Sequence, residues 1–324
     1  MIQKTRPSRQ IVIATVTILA PLSVASFASG QALPGQTPKF EQLPLGDLQT
    51  NPASQFPGHD ELSTATLTTS QTFTGTFAAD DFSDNVSSPI VDVEWWGSYL
   101  NSTAGGSNQV QDFLISFESN VPATSASGFS QPGQSLSAQI VTVVPTVVPG
   151  GFTQTAVPSV PGPDGPLYQY DAELTNPFPE QAGQVYWLKI VALTDPNLPL
   201  QWGWHNRDYT IPDPYAAPPG DTLLGTNDIG QPVYHYVDDA VTGDVTFIPR
   251  LPPPQDLIET NMSPLLYSTN PSIDGFGATG VVPPSEDLAF ELYYVPEPTS
   301  LPILAGAMFI MRRRRSPCAK RKYS

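Results

Sequence analysis

The sequence predicts an all-β fold, an antiparallel β-sandwich of jelly-roll type, with an N-terminal signal helix and a short C-terminal hydrophobic helix at its ends. Three observations lead there. Proline and glycine supply 37 and 24 of the 324 residues, a density of chain-turning positions that long helices do not tolerate. Short segments of β-branched and aromatic residues alternate with polar ones, with turn residues between them and no convincing helical period. Hydrophobic residues make up 40% and charged residues only 14%, which excludes a charged coil or tail and leaves ample apolar mass for a core.

Charge is sorted along the chain. All thirty acidic residues lie between Glu41 and Glu297, while Lys39, Lys189, Arg207 and Arg250 are the only basic residues between positions 39 and 297. Four against thirty is a net of −26, a field that repels nucleic acid and anionic membrane surfaces. The other ten basic residues sit at the two ends.

At the N-terminus, Lys4, Arg6 and Arg9 precede an uncharged apolar run over residues 11–28, the grammar of a secretory signal peptide. Ser26 with Ala28, or Gly30 with Ala32, supplies the small residues for cleavage, so residues 1–32 are assigned to the signal. Residues 33–63 form an extended lead-in or a first edge segment, rich in Pro, Gln and Gly near its start. The sandwich is expected over 64–295. Its first strand is the Thr-rich stretch 64–77, marked by Leu67, Phe73 and Phe77. Further strands are expected at 90–100, 111–119, 136–144, 167–175, 184–194, 200–206, 233–238 and 288–295. Phe113, Ile115 and Phe117 share one face of a half-buried strand, whereas the nearly continuous apolar run around Trp187, Ile190 and Val191 suits a central one. No repeat at a coil period occurs, which sets aside a parallel β-helix.

The lone cysteine, Cys318, lies beyond the sandwich. The body therefore has no disulfide, catalytic thiol or Cys-based zinc site.

The C-terminus, residues 296–324, carries Pro296-Glu297-Pro298, an apolar run over 301–311, and then Arg312, Arg313, Arg314 and Arg315. An apolar run closed by arginines halts translocation with the arginines inside and the body outside. This ending resembles the bacterial PEP-CTERM sorting signal. The resemblance implies export, an inner-membrane intermediate with a transient anchor, and recognition by the membrane-embedded transpeptidase exosortase. It also implies cleavage near the tripeptide and delivery to the cell surface or extracellular matrix. The apolar run is shorter than the ~20 residues of a stable span, and nine residues trail the arginines, both compatible with a processed anchor. Within the body, Ala79-Asp80-Asp81-Phe82 followed by Val93-Glu94-Trp95-Trp96-Gly97-Ser98-Tyr99 resembles a pattern of secreted bacterial sandwich domains of unknown function.

Three constellations could carry chemistry. Trp202 and Trp204 fall on one face of a strand. With Asn206, Arg207 and Asp208 nearby they would make a carbohydrate-binding platform if exposed, able to take an extracellular polysaccharide; as core residues, like Trp95 and Trp187, they would pack between sheets. Asp80, Asp81 and Asp84, or Asp238, Asp239 and Asp244, could ligate Ca²⁺, with no other cofactor implied. His59, His205 and His235 sit in no zinc motif, and no nucleophile elbow or phosphate loop occurs; His59 beside Asp60 and Glu61 has no identifiable nucleophile. A hydrolase would need two carboxyl groups set apart across a cleft. The expectation is a non-catalytic structural or adhesive protein, with carbohydrate binding, and after it hydrolysis, as the alternatives.

Overall fold

The structure is a computed structural model that describes residues 33–45, 58, 60–100, 109–162, 165–198, 200–218, 220–226, 231–249, 257–265 and 286–297. The signal segment, His59, Arg250, Pro298, the arginine cluster and the two terminal helices expected from the sequence lie outside the described residues.

Strand is the only regular secondary structure among the described residues. In chain order the strands are β1 (Thr37–Gln42), β2 (Asp60–Leu62), β3 (Thr64–Leu67), β4 (Phe73–Phe82), β5 (Ile90–Tyr99), β6 (Asp112–Val121), β7 (Gln131–Val143), β8 (Gly151–Gly162), β9 (Gly165–Phe178), β10 (Tyr186–Thr194), β11 (Trp202–His205), β12 (Thr222–Thr226), β13 (Pro232–His235), β14 (Val241–Phe247), β15 (Ile258–Pro264) and β16 (Phe290–Tyr294). Fourteen of them form one sheet in the order β1-β16-β5-β9-β8-β7-β6-β10-β3-β4-β14-β15, with β11 and β2 branching from β5; β12 and β13 form a separate ribbon. No helix among the described residues is long and apolar enough to cross a membrane.

The sheet folds back on itself, so the fold is sandwich-like. One layer runs from β1 to β8, the other from β7 to β15, and they join where β7 and β8 touch over two residue pairs, Thr142 with Gly151 and Val143 with Phe152. That contact is parallel, and so is β3 with β10. The sheet is thus mixed, where the sequence suggested antiparallel pairing throughout. The second parallel pair arises because β10 lies against β4 over Tyr186 to Ile190 and then meets β3, which wedges in as the antiparallel partner of β4. Gly75 allows that wedge: a Cβ there would overlap the Thr64 carbonyl oxygen and the Ala65 Cα.

Aromatic rings fill the space between layers. Trp95 of β5 stacks on Tyr170 of β9 at 5.3 Å and meets Phe113 of β6 edge-on at 5.2 Å; Phe117 and Phe178 stack at 4.5 Å. Phe40 of β1 packs against Phe82, Tyr236 and Phe290. A second cluster lies behind the β4–β10–β14 half and includes Phe77, Leu114, Trp187, Val191, Val245 and Phe247, with Leu257 and Met262 packed on it.

Two strands start earlier than the sequence placed the sandwich. β1, inside the expected lead-in, pairs with β16, and β2 pairs with β11. The pairing that recruits them comes from strands more than a hundred residues away, which local periodicity does not report. The stretch 64–77 is two strands, not one: the chain turns at residues 68–72, with Gln71 at φ 60°.

Candidate functional site

The two tryptophans of the expected platform share one face of β11, and that face is the interior. Both are 0% exposed. Trp202 Nε1 donates to the Tyr170 hydroxyl at 3.0 Å, and Trp204 Nε1 donates to the Ala289 carbonyl at 2.8 Å. Asn206 and Asp208 are buried as well; Asn206 bridges to Leu288, and Asp208 accepts from the Thr210 amide and hydroxyl. No stacking face reaches solvent at these residues, because β11 is inserted between β5 and β2 with its indoles turned onto β9 and β16.

Of the three aspartates considered for calcium, Asp80 and Asp84 serve separate partners. Asp80 Oδ2 accepts from the Leu288 amide at 2.7 Å. Asp81, its neighbour along β4, leaves the strand on the opposite face. Asp84 accepts from the Val86 amide and pairs with Lys39. Among the described residues no group of three or more His, Cys, Asp or Glu side chains is placed to hold a metal ion. Of the second trio, Asp244 is bonded to Asn261 and Asp239 faces His235.

Histidine 205 is an interior residue. Its Nδ1 lies 2.7 Å from Asp60 Oδ1 and its Nε2 lies 2.9 Å from the Leu45 carbonyl. Asp60 also accepts from Ser98. Serine, aspartate and histidine are thus together, but the aspartate sits in the middle, so the histidine is not placed to take the serine proton. This is a strut joining β2, β5 and β11.

What the strands do bring together is a row of carboxyl groups. Glu41 of β1 stands opposite Glu291 of β16, which stands opposite Glu94 of β5, which stands opposite Asp171 of β9. One step along, Tyr293, Asp92 and Glu173 repeat the line. Like charges directly opposite one another repel, yet Asp92, Glu94 and Glu291 are at most 2% exposed. Protons resolve the conflict. Burial pushes Asp92 and Glu94 up to about 9, with Asp171 beside the first and Glu291 beside the second adding to the shift; Glu291 is pushed to about 8 and Asp171 to about 6. Asp92 and Asp171 share a hydrogen bond, Gln169 donates to Glu94, and the Tyr293 hydroxyl donates to Glu291 while lying 3.4 Å from Glu94 Oε2.

The sequence held no local signal for this row. Each member reads as an ordinary outward polar residue of an alternating strand, and only the register of four strands makes them neighbours.

Every described basic residue is interior. Lys39, Lys189 and Arg207 are 1%, 0% and 0% exposed. Arg207 donates to Asp221 and to the Ile211 carbonyl, and contacts Asp287 at 3.4 Å. Lys189 pairs with Glu118 and Glu259 over the ring of Phe77. Lys39 pairs with Asp84 and Glu180. The described surface therefore presents acidic and neutral groups with no lysine or arginine among them.

Pro296 and Glu297 of the expected sorting motif are exposed just beyond β16.

A family model described as a domain of unknown function, DUF7901, matches residues 38–240. No curated protein and no solved structure matches the chain. The match spans well over half of the sequence, and the chain belongs to the DUF7901 family. β14, β15 and β16 lie beyond the matched residues yet pair within the same sheet.

Proposed function

We propose that this DUF7901 protein is an exported, non-catalytic component of the cell surface or extracellular matrix, structural or adhesive in role. The N-terminal signal segment would carry it out, and an exosortase would sort it through Pro296-Glu297-Pro298 after a transient inner-membrane stage. The observation that carries this reading is the pairing of the first strand with the last. Thr37 lies opposite Tyr294, and residues 295–297 emerge exposed at that point.

A body tethered through its C-terminus takes any load on β16. That strand is held on both sides, by β1 and by β5, so pulling on it must shear two ladders of hydrogen bonds at once. The charge supports the same reading, since the described surface, with no lysine or arginine among its residues, stays solvated and away from phosphate-rich polymers.

Hydrolysis is disfavoured by the carboxyl groups themselves. Glu94 and Glu291 face each other at 2% and 0% exposure, engaged with Gln169 and Tyr293, whereas a glycosidase presents its pair to substrate and water.

The test is to replace Pro296, Glu297 and Pro298 together with alanine in the exporting host and fractionate the cells. The substituted chain is expected in the inner membrane with its C-terminal apolar segment still attached. Release equal to that of the unsubstituted protein would remove the sorting assignment.

A further inference from the structure

Lys39, Asp84 and Glu180 form a closed trio beneath the first strand of the sheet. They are 1%, 2% and 6% exposed. The Lys39 Nζ donates to the carbonyls of Val86 at 2.7 Å and Ser88 at 2.5 Å, both in the turn that follows Asp84. These bonds hold it 3.4 Å from Asp84 Oδ2 and in contact with Glu180. Glu180 in turn shares a hydrogen bond with Asp84, and burial pushes its carboxyl up to about 9, so at neutral pH it is the protonated partner.

An amine fixed against a carboxyl group, with a carboxylic acid bonded to that same carboxyl group, is the arrangement that acyl transfer requires. We infer that Lys39 and Asp84 join in an isopeptide bond, with Glu180 relaying the proton.

The step balances without a further reagent. Lys39 passes one proton to the Asp84 carboxylate and becomes a neutral amine. Its Nζ adds to Asp84 Cγ, forming the N–C bond, while Glu180 gives its proton to the carbonyl oxygen and takes one back from the nitrogen. One Cγ–O bond then breaks and water leaves, carrying one carboxyl oxygen, the proton that Lys39 first passed to Asp84 and the proton that Glu180 gave, which the nitrogen has already replaced. An ammonium and a carboxylate have become an amide and a water, and Glu180 ends as it began. Nothing is oxidised or reduced. The driving force is local, because a neutral amide replaces two charges held out of water.

The bond would fasten β1, the outermost strand on its side, to the turn leaving β4 in the opposite layer. It would do so in a body that has no cysteine with which to form a disulfide.

Peptide mapping of the denatured full chain tests this. Lys39 is followed by Phe40, and the next lysine or arginine is Lys189, so trypsin cuts after residue 39 only if its amine is free. The expected result is a chain lighter by one water and no cut after Lys39, which leaves residues 39 and 84 on one looped tryptic peptide. A second digestion with chymotrypsin, which cuts between them at Phe40, Phe73, Phe77 or Phe82, should yield a branched peptide joining Lys39 to Asp84. The Asp84→Ala chain should have its full mass and be cut after Lys39. In cell-free synthesis the Glu180→Gln chain should link roughly a hundred-fold more slowly than the wild type. Wild-type chain of full mass that is cut after Lys39 overturns the inference, whether or not either variant folds. Loss of water mapped to any other pair of residues overturns it as well, and a Glu180→Gln chain that links at the wild-type rate removes the proton relay.

Discussion

On one face of β5, Val93, Trp95 and Tyr99 enter the aromatic interior; on the other, Asp92 and Glu94 are equally inaccessible but lie among carboxyl groups, before Trp96 packs on Leu167 and Ala289 further along. The two faces are buried to the same degree and held by different forces. The first gains from apolar area and ring packing, which do not depend on pH. The second tolerates burial only while it keeps its protons. Alternation along a strand thus separates two chemistries, and here it does not separate inside from outside.

The aromatic face should yield the largest single effect. Trp95→Ala removes the ring that stacks on Tyr170 and meets Phe113 and Phe152. It is expected to cost about 3–5 kcal/mol by denaturant unfolding, alike at acid and alkaline pH. Trp95→Phe should cost less, since the indole Nε1 it removes is buried without a hydrogen-bond partner.

The carboxyl face should make stability fall as pH rises. Its groups titrate near 4 in the unfolded chain and are raised in the folded one, so the folded state binds more protons. Their contribution is complete below about pH 4 and is lost progressively up to about pH 9, where Asp92 and Glu94 finally ionise. The loss over that span is expected to be on the order of a few kcal/mol, read from urea midpoints across the range. A flat profile would mean that the row is solvated and that the two faces of β5 do not differ as described.

The smallest effect sharpens the contrast. Glu94→Gln keeps the shape and the contact with Gln169 but cannot ionise. It should match wild type below about pH 4, exceed it increasingly as pH rises, and by about pH 9 recover a large part of the few kcal/mol that the row loses. Equal stability of the two chains at alkaline pH would place the proton elsewhere in the row.

Much of the strand pattern was legible in the sequence. β5, β6, β10 and β16 lie within about two residues of the segments expected from alternation. β8 was missed because Pro158 and Pro161 break its pattern, although its first half still pairs with β9 from Phe152 to Ala156. β14 was missed despite the period-two spacing of Val241, Val245 and Phe247, a signal that was present in the sequence. The site was far less legible. That Trp202 and Trp204 share a face follows from strand geometry, but which way the face turns depends on Tyr170 and Ala289, 32 and 85 residues away. The carboxyl row and the Lys39 trio depend on strand register and on contacts between distant turns, so no single window of sequence contains them.

The interior placement of Lys39, Lys189 and Arg207 also bears on the protein's lifetime. Many proteases that cut after lysine or arginine must draw several residues of extended chain into their cleft. Among the described residues, the folded body offers them no such side chain at its surface. Degradation by enzymes of that specificity would have to wait for unfolding or begin in the tails, so the durability of the body in a protease-rich setting is set by how rarely it opens.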